Sequence, residues 1–369
     1  MLPLKDALVV ALFSVLFAVD VIGNSLLCYI ILTSTQLKRH TRDLVVLNLS
    51  FADLLVGIFF FPRHVLRHAF RGLHQPYADW LCKFVTGGNV AWIAAAASSF
   101  SLVVLALERF YAVMYPFRQR FTLRKVKITV LTCWLYATLF MLPLFLVVEY
   151  DLNSGSCSEK WADLEAAGAF STLTLVFLLI IPLLIMTILY GLVIHKLWFK
   201  SSTQTIQPTQ LAVEKTRKTV TKMLLIVTVI YVVCWSSDLI LYMLLASQWN
   251  SNDPIYSLPE ALVLLNSSVN PIIFTIYSQR FRQSLRRVYQ RKQRKNSIGV
   301  LGSDGDKGHH RNSADTRPVP RMELSIQTLS NREVVNCERI TNANESAAHK
   351  TCEAGQENEQ NCELEEVKL

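Results

Sequence analysis

A carboxylate and several neutral oxygen donors fall within apolar stretches of this chain. Asp53 lies in the middle of one apolar run, and Ser98, Asn266 and Asn270 lie in two later runs. One carboxylate ringed by neutral oxygens is what a small hard cation such as sodium prefers. The alternative is a structural hydrogen-bond cluster with Asp53 protonated, because a buried carboxyl group can avoid charge in this way.

A second polar set suits ligand binding. Trp235, Asp238 and Tyr242 recur at i, i+3 and i+7, which places them on one face of a helix. Glu260 and Arg63 lie near the ends of two other apolar runs. Acids and bases around one cavity favour a charged ligand, especially a short basic peptide. A solvated rim charge is the alternative for Glu260, whereas Asp238 lies deeper in its run.

Both sets lie in apolar runs long enough to cross a bilayer. The seven runs cover roughly 7–33, 44–66, 84–107, 126–148, 167–195, 219–246 and 256–277. A hydrocarbon core of about 30 Å needs about 20 helical residues, and in lipid such segments must satisfy their backbone groups internally. Hydrophobic residues make up 51% of the chain and charged ones 18%. The sequence therefore predicts an all-α membrane protein with a seven-helix bundle.

Positive charge is distributed unevenly among the connecting segments. It is concentrated after the first, third, fifth and seventh runs, whereas the segments after the fourth and sixth are acidic. The positive-inside rule then places the N-terminus outside and the C-terminus in the cytosol. We expect the protein in the plasma membrane. The net charge of +9 reflects this orientation, and no nucleic-acid partner is expected.

The chain is expected to contain four segments. These are a short extracellular N-terminus (1–6), the transmembrane domain (7–277), an amphipathic juxtamembrane helix (278–291) and a disordered cytosolic tail (292–369). Phe281, Leu285 and Val288 share one face of the juxtamembrane segment, which suits a short eighth helix on the lipid of the inner leaflet. A frayed basic linker is the alternative there. Serines and threonines of the polar tail are candidate phosphorylation sites.

Two cysteines stand apart from the other six. Cys82 and Cys157 are the pair expected on the oxidising side, and this topology predicts a disulfide between them. The chain has no zinc-like spacing, phosphate-binding loop or hydrolase motif. It is therefore not expected to be an enzyme or to require a cofactor.

An ordered series of short motifs resembles the rhodopsin-like (class A) G-protein-coupled receptors over about residues 7–291. The motifs are Gly23-Asn24, the stretch 48–53, Cys82, Glu108-Arg109-Phe110, Trp134, Pro182, Tyr190, Trp235 and Asn270-Pro271. Trp80-Leu81-Cys82 and a short hairpin-like second outer loop are similar to those of neuropeptide receptors.

The resemblance implies roles for the matching residues. Glu108 would hold Arg109 in the inactive state, and Arg109 would then meet the C-terminal helix of a G protein α-subunit. Trp235 would report a bound ligand by moving the sixth helix. Receptor kinases would phosphorylate the tail, and arrestin would bind the phosphorylated tail. Further activation residues would be Tyr190, Asn270, Pro271 and Phe274, and the allosteric sodium ligands would be Asp53, Ser98, Asn266 and Asn270.

Three features depart from the family pattern. Ser237 stands where the family usually has proline, and Phe274 stands where the Asn-Pro motif usually has tyrosine. The sixth helix begins with Lys215, Arg217 and Lys218, so we expect no acid there to pair with Arg109. This last feature predicts a weaker inactive clamp and raised basal signalling.

Other classes are weighed against a peptide receptor. Ala91 or a neighbour occupies the depth at which amine receptors carry an aspartate, so an amine would have to use Asp238. The seventh run has no lysine, which excludes an opsin. A seven-helix transporter or channel is the alternative outside the family, but the chain shows no internal repeat.

Overall fold

The computed structural model describes residues 4–34, 37, 40–66, 69, 74, 76–116, 122–153, 155–199, 208–245, 254–288 and 290. Seven helices in these ranges are long and apolar enough to cross a membrane. They are α1 (Leu4–Thr33), α2 (Thr41–His64), α3 (Tyr77–Met114), α4 (Leu123–Val147), α5 (Leu164–Phe199), α6 (Pro208–Leu245) and α7 (Pro254–Tyr277). An eighth helix, α8, covers 279–288. The predicted seven-helix membrane fold with an eighth helix is confirmed, and the chain is a multi-pass membrane protein.

The eighth helix turns an apolar face to the bundle. Phe281 is buried, and its ring lies 6.4 Å from that of Phe274 in α7. Leu285 also packs against the core. The predicted disordered tail (292–369), with its candidate phosphorylation sites, lies outside the described residues.

A β-hairpin joins α4 to α5. Strands β1 (Val148–Asp151) and β2 (Ser156–Glu159) pair antiparallel, with Tyr150 opposite Cys157. The Cys82–Cys157 disulfide, which is confirmed, ties β2 to α3. The Asp79 carboxylate accepts a hydrogen bond of 2.8 Å from the backbone N–H of Tyr150. The hairpin is therefore fixed to the beginning of α3 by a covalent bond and a hydrogen bond.

α3 changes direction near its beginning. A π-helical turn over Cys82–Thr86 is closed by the Gly87 N–H donating to the Cys82 carbonyl at 2.8 Å. Gly88 then adopts a left-handed backbone with φ of 84°, which glycine tolerates best because it has no Cβ. Below this break the helix runs regularly over Asn89–Met114. The break leaves the Gly87 carbonyl outside the helical ladder, where a side chain from α2 reaches it.

The interior is built around α3. Its alanine-rich stretch, Ala94–Ala97, is fully buried, and small residues let membrane helices approach closely. The Asn48 amide of α2 links three helices because it donates to Ser101 Oγ of α3 at 2.8 Å and accepts from Trp134 Nε1 of α4 at 2.9 Å. This polar link holds the half of the bundle opposite to the hairpin.

Candidate functional site

A polar cluster lies between α2, α3 and α7, where the sequence predicts a cation site. The fully buried Asp53 carboxylate accepts hydrogen bonds from Ser98 Oγ at 2.7 Å and from Asn270 Nδ2 at 2.8 Å. Asn266 is buried, and its Oδ1 has no hydrogen-bond partner among the described residues. A carboxylate, a hydroxyl and amide oxygens form a donor set that fits a small hard cation. The residues present therefore fit the expected sodium ion.

A second carboxyl group, which the sequence analysis did not assign to this cluster, enters from α1. Asp20 is fully buried, and its Oδ1 accepts a hydrogen bond of 2.8 Å from Asn24 Nδ2. Asn24 Nδ2 also lies 3.3 Å from the carbonyl oxygen of Ser267 in α7. α1 and α7 pack closely here, since a Cβ added to Gly23 would lie 2.9 Å from the Pro271 ring. Asp20 could have been found from the sequence as an acid one turn before Asn24.

A small cavity opens beneath the β-hairpin. It is lined by Trp92, Met141, Leu144, Glu159, Phe170, Thr174, Leu178, Asp238, Leu239 and Tyr242 and leaves about 30 Å³ for solvent. Asp238 is 2% exposed, and its Oδ1 has no hydrogen-bond partner in the described part of the chain. The cavity thus combines aromatic walls with one buried carboxylate whose Oδ1 finds no partner among the described residues.

Glu159, at the end of β2, brings a second acid to this cavity. Its Oε2 accepts hydrogen bonds from Tyr242 Oη at 2.9 Å and from Trp161 Nε1 at 2.8 Å. Burial raises the pKa of the Glu159 carboxyl above its ordinary value, while these hydrogen bonds and the charge of Arg63 act in the opposite direction. Sequence reasoning missed Glu159 because only the hairpin register shows that it points inwards.

Arg63 and Glu260 pair with each other. Arg63 donates from Nη2 to Glu260 Oε1 at 2.7 Å and from Nε to Glu260 Oε2 at 3.0 Å. A third nitrogen of the guanidinium donates to the Gly87 carbonyl. His64 Nε2 lies 2.6 Å from Glu260 Oε2, and Phe13 stacks on the His64 ring with centroids 3.7 Å apart. This network joins α1, α2, α3 and α7 at the hairpin end, and a solvated rim position for Glu260 is wrong because it is 1% exposed.

Trp235 lies below the cavity in the interior of α6. Its ring is fully buried and lies 6.3 Å, centroid to centroid, from that of Trp92, which lines the cavity. Ala91, the residue expected near the ligand, is also buried but is not among the lining residues; its neighbour Trp92 takes that place. Two residues further along α6, the Ser237 hydroxyl, at the position where the family has proline, donates to the Val233 carbonyl at 3.0 Å.

At the opposite end of the bundle, Arg109 is held by its neighbour. Arg109 Nε donates to Glu108 Oε2 at 2.6 Å, and both side chains line a cavity of about 440 Å³ with Arg217 of α6. Glu214 is an acid near the beginning of α6, but its carboxylate pairs with Lys218 at 2.7 Å and not with Arg109. The described contacts of Arg109 therefore include no ion pair with α6. Its activation role, with those of Tyr190, Asn270, Pro271 and Phe274, stays a prediction.

Comparison with known proteins identifies the class. Residues 23–274 match the rhodopsin family of 7 transmembrane receptors, so the chain belongs to this family. Neuropeptide FF receptor 2 of Mus musculus is 29% identical over 320 residues, which cover 79% of this chain and 75% of the relative. Galanin receptor 2b of Danio rerio is 29% identical over 339 residues, with 88% and 84% covered. Neuropeptide FF receptor 1 of Homo sapiens is 27% identical over 313 residues, with 77% and 70% covered.

Proposed function

We propose that this chain is a plasma-membrane receptor that binds a short peptide at its extracellular end and activates heterotrimeric G proteins through movement of α6. The distribution of positive charge supports an extracellular N-terminus and a cytosolic C-terminus. Similarity to receptors named for neuropeptide FF and galanin supports a peptide ligand. Membership of a receptor family favours this function over a transporter or channel.

The unpaired Asp238 carboxylate carries the ligand part of the proposal. A buried charge is expensive unless a partner compensates it, and Asp238 has no hydrogen bond to Oδ1 from any described residue. Arg63 lies in the network at the same end of the bundle, but Glu260 holds its guanidinium. The missing partner is therefore a cationic group of the ligand, such as the side chain of a basic residue or a free amino terminus. Aromatic rings of Trp92 and Tyr242 beside the carboxylate would add cation–π attraction.

Cavity size connects binding to activation. Small-molecule pockets usually enclose about 300–1,000 Å³, whereas this cavity leaves about 30 Å³. A ligand group can enter only if the walls separate. Because Asp238, Leu239 and Tyr242 all lie on α6, separation displaces this helix relative to α5 and the hairpin. A ligand that binds the opened arrangement more tightly shifts the receptor towards it.

Cells expressing the receptor test the ligand assignment directly. We expect a basic peptide to evoke a G protein signal, and Asp238→Asn to lower its potency by about 30-fold or more, since losing one member of a buried charge pair costs about 2–5 kcal/mol. Glu165→Gln removes an exposed acid near the beginning of α5 and is the matched control. If the receptor responds to amines but not to any peptide, the amine-receptor alternative is favoured. Unchanged potency in Asp238→Asn would contradict the role of this carboxylate.

The opposite end of the bundle carries the signalling part of the proposal. Among the described residues, Glu108 forms the ion pair that holds Arg109 and α6 contributes none, so we expect basal signalling. Arg217→Glu would place an acid in the cavity that Arg109 lines and should lower the basal signal. Lys222→Glu makes the same charge change on an exposed part of α6 and should not. Arg109→Ala should abolish the signal, and silence of the wild-type receptor with every G protein class would contradict this part of the proposal.

We also propose an allosteric sodium ion held by Asp53, Ser98, Asn266 and Asn270. The donor set described above supports it, and the ion would compensate the charge of a carboxylate that forms no ion pair with a described Lys, Arg or His. Thermal stability of the purified receptor in NaCl should then exceed that in KCl at equal ionic strength. Equal stability in the two salts would contradict the sodium proposal and leave the ligand assignment untouched.

A further inference from the structure

Asp20 is a buried acid that neither the ligand cavity nor the Asp53 ligand set uses. Its side chain is 0% exposed, and its Oδ2 has no hydrogen-bond partner among the described residues. The only hydrogen bond to its carboxylate within these residues comes from Asn24. A buried and unpaired acid is expensive and in membranes is usually functional.

The position of Asp20 relative to Asp53 follows from its contact with α2. A Cβ on Gly57 would lie 2.3 Å from Asp20 Oδ2, so this oxygen lies directly against the bare backbone of Gly57. Gly57 follows Asp53 by one helical turn, a rise of about 6 Å. It lies nearer to the hairpin end, because Arg63, in the last turn of α2, contacts Gly87. Asp20 is therefore one turn closer to the ligand cavity than Asp53 is.

Two amide oxygens in the bundle interior have no partner in the described part of the chain. Asn24 Oδ1, beside Asp20 in α1, and Asn266 Oδ1, in α7, accept no hydrogen bond from any described residue. Both amides are buried. Backbone and side-chain oxygens left unsatisfied in a protein interior are costly, and here they accompany two acids. The unsatisfied atoms are all acceptors, so the missing group is a cation or a donor.

We infer that Asp20 and the Asn24 amide oxygen form a second cation-binding position, one helical turn from Asp53 towards the ligand cavity. This inference extends the proposed sodium site and depends on it. The ion is a small monovalent cation, because each position offers one carboxylate with neutral oxygens and one positive charge balances it. Two such positions in series would let an ion pass from the ligand cavity to Asp53 by a single intermediate step.

Sodium-dependent thermal stability tests the inference, because each bound ion adds its own concentration dependence. Melting temperatures of the purified full-length receptor are measured from low to high NaCl, with KCl keeping the ionic strength constant. Asp20→Asn, Asp53→Asn and the double variant are compared with the wild type. We expect the wild-type rise in melting temperature per decade of sodium to be about twice that of either single variant. The double variant should show no rise.

The possible outcomes separate the two proposals. If Asp53→Asn alone removes the sodium dependence and Asp20→Asn keeps the wild-type rise, the second position does not exist and the Asp53 site stands. If the wild type itself does not distinguish sodium from potassium, both positions are refuted.

A glycine variant keeps the inference testable if Asp20→Asn does not fold. Gly57→Ala places a methyl group where Asp20 Oδ2 lies and should lower the sodium dependence about twofold, as loss of one of two sites requires. Gly168→Ala is the matched control, since its added Cβ would meet no atom within 4 Å. If the melting temperature of Gly57→Ala rises with sodium concentration as much as that of the wild type, the second position is refuted.

Discussion

The buried Arg63–Glu260 pair makes the stability of the hairpin end depend on one carboxylate charge. Glu260→Gln keeps the side-chain size but removes the charge, leaving a guanidinium 7% exposed with the Gly87 carbonyl as its remaining strong acceptor. Removing one partner of a buried ion pair costs about 3–5 kcal/mol, mostly because the other charge stays buried without compensation. The glutamine amide keeps one oxygen, which can accept one of the two hydrogen bonds that Arg63 now donates to Glu260 at 2.7 and 3.0 Å. We therefore expect a loss of about 3 kcal/mol in the free energy of unfolding.

Unfolding by SDS titration in mixed micelles measures this free energy. Glu149→Gln is the control, because the Glu149–Lys160 pair, at 3.2 Å, is about half exposed and should contribute under about 1 kcal/mol. The double variant Arg63→Met/Glu260→Gln removes both charges and should recover at least half of the loss. Equal losses in Glu260→Gln and Glu149→Gln would refute the reasoning. The reasoning would also be refuted if the double variant lost as much stability as Arg63→Met and Glu260→Gln lose together when each is measured alone.

Three further predictions concern the rest of the bundle. Asn48→Ala leaves Trp134 Nε1 without its acceptor and should cost about 1–3 kcal/mol in the same titration. Cys157→Ser opens the loop tied to α3 and should cost about 2–4 kcal/mol, seen as lower surface expression and a lower melting temperature. Glu159→Gln removes a carboxyl whose raised pKa means that ionisation opposes folding. Its stability relative to wild type should therefore rise as pH increases from about 4.5, the ordinary glutamate value, through the raised pKa, and a flat difference across this range would contradict the burial argument.

The helices and the disulfide follow from the sequence because each depends on a local property. Length and hydropathy alone predict the spans, since lipid allows no other backbone arrangement for them. Predicting the disulfide required only the positive-inside rule and the positions of Cys82 and Cys157 in the sequence. The π-helical turn at Cys82–Thr86 was beyond such reasoning, because its two flanking glycines are compatible with several kinds of break.

Individual site residues were harder to predict because their surroundings come from distant parts of the chain. Glu159 lines the cavity beneath the hairpin because of the register of that short hairpin. Trp92 rather than Ala91 faces this cavity, and a helical period defines such a face only to within one residue. The partner of Arg63, almost 200 residues away in the chain, could not be chosen between Asp238 and Glu260 from their spacing.

Pairing within the chain separates the polar residues that stabilise the fold from those that we propose to bind a ligand or an ion. Arg63, Glu260 and Asn48 find partners on other helices, so their burial is compensated within the receptor and their removal should primarily cost stability. Asp238 and Asp20 are equally buried, but each keeps an oxygen without a partner among the described residues. In the sequence all five look alike, as polar residues in apolar runs. A buried unpaired acid lowers stability. Replacing Asp238 or Asp20 should therefore weaken ligand or ion binding without the large loss of stability expected for Glu260→Gln.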